Sequence, residues 1–181
     1  GEGVRVLSVG ANTLTNLDGT SNTAFSSSFR IDVTAPRVVA SSISSGQFFG
    51  IGSLVYTARF SATLVAGQID ASDVTLRGTT SGQFFTPTSV AYDVVTSTLT
   101  ASYAGLLEEG YTLTLNSADG AFEDLAGINL DGEATWPLPV QGSGNGVEGG
   151  NFVVGFGLET IEAAFPVPLS AVNPPSSLVH R

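Results

Sequence analysis

Short runs of alternating apolar and polar residues recur along this chain, separated by Gly, Asp, Asn and Ser. Within residues 53–60, the side chains of Leu54, Tyr56, Ala58 and Phe60 fall on one face. Successive side chains of a strand point to opposite faces, so this run predicts a strand buried on one face and solvated on the other. The same alternation, with Thr and Ser on the solvated side, occurs at 98–103 and 111–115.

Weaker alternation predicts four more strands, at 37–43, 74–77, 89–92 and 152–156. No segment carries an apolar stripe of helical period longer than two turns. The best helical candidate, 104–110, is bounded by Gly, so we expect a turn or a single helical turn there. About seven short strands separated by turn residues predict an all-β fold, an immunoglobulin-like antiparallel β-sandwich.

An internal repeat divides the chain. Residues 2–3 and the motif Asn-Leu-Asp-Gly at 16–19 resemble residues 109–110 and the motif Asp-Leu-Ala-Gly at 124–127. The run 25–32 likewise resembles 152–159. Residues 1–32 are therefore predicted to be the last two strands of a preceding copy, which gives the fold an extra N-terminal strand pair. Because unpaired strands expose their hydrogen-bonding edges, we expect this pair to dock on the sandwich or on a second molecule.

The repeat also sets the predicted domain boundaries. The sandwich itself is expected over 33–156, after a linker that ends at Pro36. Residues 136–150 are rich in Gly and have no counterpart in the first copy, so they are predicted to form a long inserted loop. Residues 157–181 become rich in Pro and are predicted to be a linker or tail.

Composition excludes several classes of function. The net charge is -10, from 16 acidic residues and 6 arginines, and there is no Lys, Cys or Met. Such a chain repels phosphate, so nucleic acid is not an expected partner. Membrane insertion is not expected either, because no run of 18 apolar residues exists. With no Cys or Lys and a single His at 180, we predict no catalytic residues and no enzymatic activity.

An ordered series of motifs resembles bacterial immunoglobulin-like domains of S-layer type. The series contains Thr-Ala-Pro, Asp-Val-Thr-Leu, Tyr-Asp, Thr-Leu-Thr, Gly-Tyr-Thr-Leu and Asp-Leu-Ala-Gly, at 34–36, 73–76, 92–93, 98–100, 110–113 and 124–127. The resemblance covers residues 32–156 and, more weakly, 1–31. The chain departs from the family pattern at Ile128, which intervenes before Asn129, and in the long insertion.

The resemblance implies a sandwich that occurs in tandem within large secreted or cell-surface proteins. It implies a structural or adhesive spacer whose partners are the neighbouring immunoglobulin-like domains of the parent chain. A surface protein or glycan is a further expected kind of partner, as is a second copy that forms a homodimer through the N-terminal strands. The alternatives are a calcium- or glycan-binding module and an accessory domain of a secreted hydrolase.

Two groups of residues are candidates for ligand binding. Oxygen-bearing side chains crowd into a Gly-punctuated stretch and could wrap calcium, a cation that prefers oxygen ligands. These candidate ligands are Asp119, Glu123, Asp124, Asn129 and Asp131. Asp and Asn also favour turns by hydrogen-bonding their own backbone, so a purely structural role is the alternative.

Aromatic residues form the second candidate group. Phe48-Phe49 and Phe84-Phe85 both follow Ser-Gly-Gln, and Trp136 stands at the start of the insertion. Exposed rings could stack on sugars, which would make Trp136 a ligand-binding residue. The alternative is that one Phe of each pair and the Trp pack against the core.

Overall fold

The computed structural model describes residues 2–160, which contain eleven strands and no helix. The strands are β1 (Gly3–Val9), β2 (Phe25–Ile31), β3 (Val38–Ser41), β4 (Phe48–Gly50), β5 (Gly52–Phe60), β6 (Val74–Gly78), β7 (Phe84–Phe85), β8 (Ser89–Asp93), β9 (Thr98–Leu106), β10 (Glu109–Leu115) and β11 (Phe152–Glu159). Residues 161–181, with most of the predicted tail and His180, lie outside the described residues.

Nine of the strands form two sheets that pack face to face. One sheet has the order β4-β11-β10-β6-β7 and the other the order β3-β5-β9-β8. All neighbouring strands are antiparallel except β4 and β11. A single hydrophobic core fills the space between the sheets. The fold is thus an all-β immunoglobulin-like sandwich with an extra N-terminal strand pair, as the sequence predicts.

The predicted faces of the main strands are confirmed. The four β5 side chains predicted to share one face, Leu54, Tyr56, Ala58 and Phe60, are buried, and so are their counterparts on β9 and β10. Two predictions need correction. β9 continues to Leu106 and turns directly into β10, so no helical turn occupies 104–110. β11 continues to Glu159, because Leu158 is buried and pairs with both Glu109 and Phe49, so the sandwich extends beyond 156.

The strand pair β1–β2, predicted from the sequence to dock on the sandwich or on a second molecule, does not dock on the sandwich. Its strands pair only with each other, and their side chains are exposed on both faces apart from partly covered ends. The Glu2 carboxylate fixes the base of the hairpin by accepting hydrogen bonds from the Val33 amide, at 3.2 Å, and from the Thr34 hydroxyl. Docking on a second molecule stays a prediction.

The turn of this hairpin has the same hydrogen bonds as the turn after β10. In each turn the side-chain oxygen of the first residue, Asn16 or Asp124, accepts hydrogen bonds from the backbone N–H groups two and four residues later. These bonds measure 3.1 and 2.8 Å after Asn16, and 2.8 and 3.0 Å after Asp124. Gly19 and Gly127 close the two turns with a φ of 78° in both. The repeat in sequence is therefore also a repeat in conformation.

The chain enters the sandwich at one end and leaves it at the other. The linker residue Asp32 lies in a cleft with Ser61, which follows the last residue of β5. Near the other end of β5, the Ile51 amide donates a hydrogen bond to the carbonyl of Glu159, the last residue of β11. β5 spans nine residues, so these two ends are roughly 30 Å apart.

Candidate functional site

Among the five predicted calcium ligands, a side-chain hydrogen bond joins Asp119 and Asn129, and the other three carboxylates bond to backbone amides. Asp119 accepts a hydrogen bond from the Asn129 side-chain amide at 2.9 Å, and Glu123 accepts one from the Gly120 amide at 3.0 Å. Asp124 is buried and closes its own turn. Between residues 2 and 160, no three Asp, Glu, His or Cys side chains are placed to hold a metal ion. Calcium binding stays a prediction, but the geometry assigns these side chains to turns.

Asp131, the fifth predicted ligand, is completely buried and anchors the inserted loop. Its carboxylate accepts hydrogen bonds from the backbone amides of Asn145 and Gly146 at 2.8 and 2.9 Å. The Arg37 guanidinium lies 3.1 Å from the same carboxylate. Buried charges are tolerated only when they are paired and hydrogen-bonded, and this one has both kinds of partner. Asp131 thus ties 136–150 to the start of the sandwich.

A buried serine reinforces this anchor. The Ser143 hydroxyl donates a hydrogen bond to the Asp131 carbonyl at 2.8 Å and accepts one from the Val38 amide at 3.0 Å. Gly144 follows with a φ of 97°, and a Cβ there would lie 2.2 Å from the Asp131 carboxyl carbon. Only glycine fits this position. The sequence contains the residues of this anchor, in the pairs Asp131-Gly132 and Ser143-Gly144. It does not show that the two pairs contact each other in the fold.

Trp136 is a packing residue in this structure. Its half-buried indole packs edge-on against Phe152, with ring centroids 5.9 Å apart. The indole N–H donates a hydrogen bond of 3.4 Å to the Val153 carbonyl. The ring therefore covers one end of the core and, with Asp131, holds the insertion against the sheet.

In each of the two Phe pairs, one ring packs against the core and the other is exposed, which is the alternative to sugar binding given in the sequence analysis. Phe49 packs against Phe156 and Phe85 against Tyr111, both on the core side of the five-stranded sheet. Their neighbours Phe48 and Phe84 are 66% and 70% exposed.

Phe48 and Phe84 lie on the outer face of the same sheet, at its two opposite edges. The Phe48 ring lies over Gly157, where a Cβ would come within 2.4 Å of the ring. The Phe84 ring is 5.9 Å from the Arg77 guanidinium. Four strand spacings separate β4 from β7, so the two edge strands are about 19 Å apart across the sheet. We call this surface the outer Phe face. The sequence could not predict that both exposed rings share it.

Glu109 fixes the loop that leads into Phe84. Its carboxylate accepts hydrogen bonds from the Ser81 and Thr80 amides at 3.0 and 3.2 Å, and from the Ser81 hydroxyl at 2.9 Å. These bonds, chiefly that from the Ser81 amide, hold the pKa of Glu109 below its ordinary value. The loop thereby presents Phe84 in a fixed position.

Comparisons with protein-family models, with curated proteins and with solved structures find no match for this chain. In the part of the chain that the structure covers, no helix is long and apolar enough to cross a membrane.

Proposed function

We propose that this protein is a non-catalytic structural or adhesive spacer module of a larger extracellular bacterial protein. The observation that carries the proposal is the repeated turn, in which Asn16 and Asp124 make the same hydrogen bonds and Gly19 and Gly127 adopt the same φ. Two copies of one structural unit in series are the arrangement expected of a spacer.

The path of the chain supports the same function. The linker meets the sandwich near Phe60, and β11 ends near Gly52, at the other end of β5. Modules whose chain enters and leaves at opposite ends form an elongated array when they are joined in series. Each further module then adds its own length to the distance that the array spans.

The chemistry of the chain supports a non-catalytic role. The whole sequence has no Lys and no Cys, and its one His is His180. The carboxylates described above are engaged with backbone amides: Glu109 in the loop before Phe84, Asp124 in its turn and Asp131 in the loop anchor. Groups held in this way serve as structural acceptors.

Small-angle X-ray scattering tests the spacer proposal. The sample is a fusion in which residues 1–160 are followed directly by a second copy of residues 33–160, and the control is the chain of 1–160 alone. We expect the longest dimension of the fusion to exceed that of the control by roughly 30 Å, the length of β5. A fusion that folds but gains less than about 10 Å, because its sandwiches pack side by side, would refute an extended spacer.

Glycan binding is a second candidate function, favoured by the outer Phe face. Exposed aromatic rings present an apolar surface on which the faces of sugar rings can stack. Phe48 and Phe84 flank a floor that includes Gly155, Gly157 and the half-buried Thr112. Such a floor leaves room for an extended oligosaccharide between the two rings.

A glycan array with a double variant tests this second function. Phe48→Ala with Phe84→Ala should remove binding to any glycan that the wild type retains. The control is Val55→Ala, which changes an equally exposed apolar side chain on the opposite sheet. No glycan retained by the wild type, or equal binding by the double variant, would rule out this function.

A further inference from the structure

The exposed hairpin β1–β2 has one face that matches the buried face of the sandwich. We infer that this face, which contains Leu7, Val9, Phe25 and Phe29, is the inner sheet face of a second sandwich. Its occupant is a segment equivalent to residues 38–106, the strands β3–β9. This inference rests on the tandem arrangement proposed above, and it goes beyond that arrangement by naming the surface and what covers it.

The register of the two strand pairs is the first argument. Val9 lies opposite Phe25 in the hairpin, and Leu115 lies opposite Phe152 in the sandwich. The repeat of 25–32 in 152–159 sets an offset of 127 for β2, and the strand pairing then sets an offset of 106 for β1 over its whole length. The sequence alignment of residues 2–3 with 109–110 is therefore wrong by one residue for β1. Because a slip of one residue would turn every side chain to the other face, equal register means equal faces.

The identity of the facing residues is the second argument. Seven buried positions on the inner face of β10 and β11 have counterparts in the hairpin, and at three of them the residue is the same. The identical pairs are Leu7 with Leu113, Phe25 with Phe152 and Phe29 with Phe156. The sandwich members are 0%, 0% and 5% exposed, and the hairpin members are 57%, 55% and 53% exposed. Of the rest, Val9 and Ile31 match Leu115 and Leu158. Arg5 and Ser27 replace Tyr111 and Val154.

The third argument is what covers the corresponding surface of the sandwich. β10 pairs with β6 along one edge, β11 pairs with β4 along the other, and the sheet that contains β5 and β9 lies against the inner face. A two-stranded hairpin leaves both edges and the apolar face open, which is a marginally stable arrangement. The segment β3–β9 contains the strands that would pair with both edges of the hairpin and cover its apolar face.

Hydrogen exchange on a fusion protein tests the inference. Residues 33–107 are joined directly before residue 2 of the full chain, so that the added segment supplies the missing strands. We expect exchange of the β1 and β2 amides to slow by about 100-fold or more relative to the unmodified chain, since local opening would now require opening of a sandwich. A second fusion, in which the added segment is the complete 33–160, should leave the hairpin amides as fast as in the unmodified chain.

Two matched substitutions test which face is covered. Leu7→Asp changes the proposed inner face, and Val4→Asp changes the opposite face, where the side chain is 66% exposed. Both side chains are exposed in the unmodified chain, so neither change should alter its stability. In the first fusion, Leu7→Asp should restore fast exchange, whereas Val4→Asp should leave the amides within about 3-fold of the protected rate.

The fusion can also be repaired at the two mismatched positions, with Arg5→Tyr and Ser27→Val. If the hairpin amides of this repaired fusion exchange as fast as those of the unmodified chain, or if Leu7→Asp and Val4→Asp act alike, the inference is wrong. It is also wrong if sedimentation shows that the unmodified chain is a dimer with protected hairpin amides, because the occupant is then a second copy. The scattering test of the spacer proposal stays separate, because its fusion and its control contain the same hairpin and differ only in the added copy of residues 33–160.

Discussion

Removing the buried carboxylate of Asp131 should destabilise the sandwich strongly and release the inserted loop. In Asp131→Ala the amides of Asn145 and Gly146 lose their acceptor, and the Arg37 guanidinium loses its partner. All three groups are held by one carboxylate that is completely buried. We therefore expect the loop 136–150 to detach from the sandwich before the rest of the fold melts.

The magnitude follows from these contacts. A hydrogen bond to a charged group contributes about 1.5–3 kcal/mol, so two of them account for roughly 3–6 kcal/mol. The Arg37 side chain is 26% exposed, so water partly replaces its lost partner and the ion pair adds little to this sum. At roughly 3 °C per kcal/mol for a domain of this size, the melting temperature should fall by about 9–18 °C.

Circular dichroism melting and fluorescence of the single Trp measure the two effects. Trp136 packs on Phe152, so release of the loop should move its emission to longer wavelength at temperatures where the strands remain folded. The control is Asp119→Ala, whose exposed carboxylate accepts one side-chain hydrogen bond and should cost about 0.5 kcal/mol or less. If Asp131→Ala costs less than about 1 kcal/mol, the carboxylate does not anchor the loop.

Two further predictions concern single polar groups. The hydroxyl of Tyr103 is buried without a partner among the described residues, so Tyr103→Phe should raise the free energy of unfolding by up to about 1 kcal/mol in urea titration. Tyr111→Phe should lower it by a similar amount, because that hydroxyl donates to the Leu107 carbonyl at 2.9 Å; equal effects would contradict this assignment. Glu109→Gln should destabilise the protein at pH 7. The pKa of Glu109 is lowered in the folded state, so the difference from wild type should be constant above about pH 4.5, its ordinary value, and vanish as the pH falls through the folded pKa. A difference that grows with acid would contradict it.

The sequence predicts the long strands well and misses the two shortest, β4 and β7. β5, β9 and β10 are seven to nine residues long and bury every second side chain, which is the pattern that alternation detects. β4 and β7 have three and two residues, too few to show a period, and both lie at sheet edges. The position of β4 depends on its pairing with β11, which is distant in sequence. The position of β7 depends on its pairing with β6, from which a turn separates it.

The candidate site shows the same division between local and distant information. The turn around Asp124 was predictable, because its hydrogen bonds join residues two and four apart. The role of Asp131 was not, because its partners Arg37 and Asn145 come from opposite ends of the sandwich sequence. A crowd of acidic residues in sequence predicted a shared site, whereas the fold separates the carboxylates into turns and a loop anchor.

The hairpin and the sandwich together show what a strand pattern determines. Leu7 and Leu113 occupy the same position in the same register, yet one is 57% exposed and the other is completely buried. The local sequence therefore fixes which face a side chain joins, and burial depends on whether other strands cover that face. On the inference drawn above, an apolar face with the register of a buried one, but without its cover, binds the missing strands. The substitutions Leu7→Asp and Val4→Asp test this inference, because only the first should restore fast exchange if a single face is covered. If the two faces of the hairpin are equivalent, the two substitutions should have the same effect.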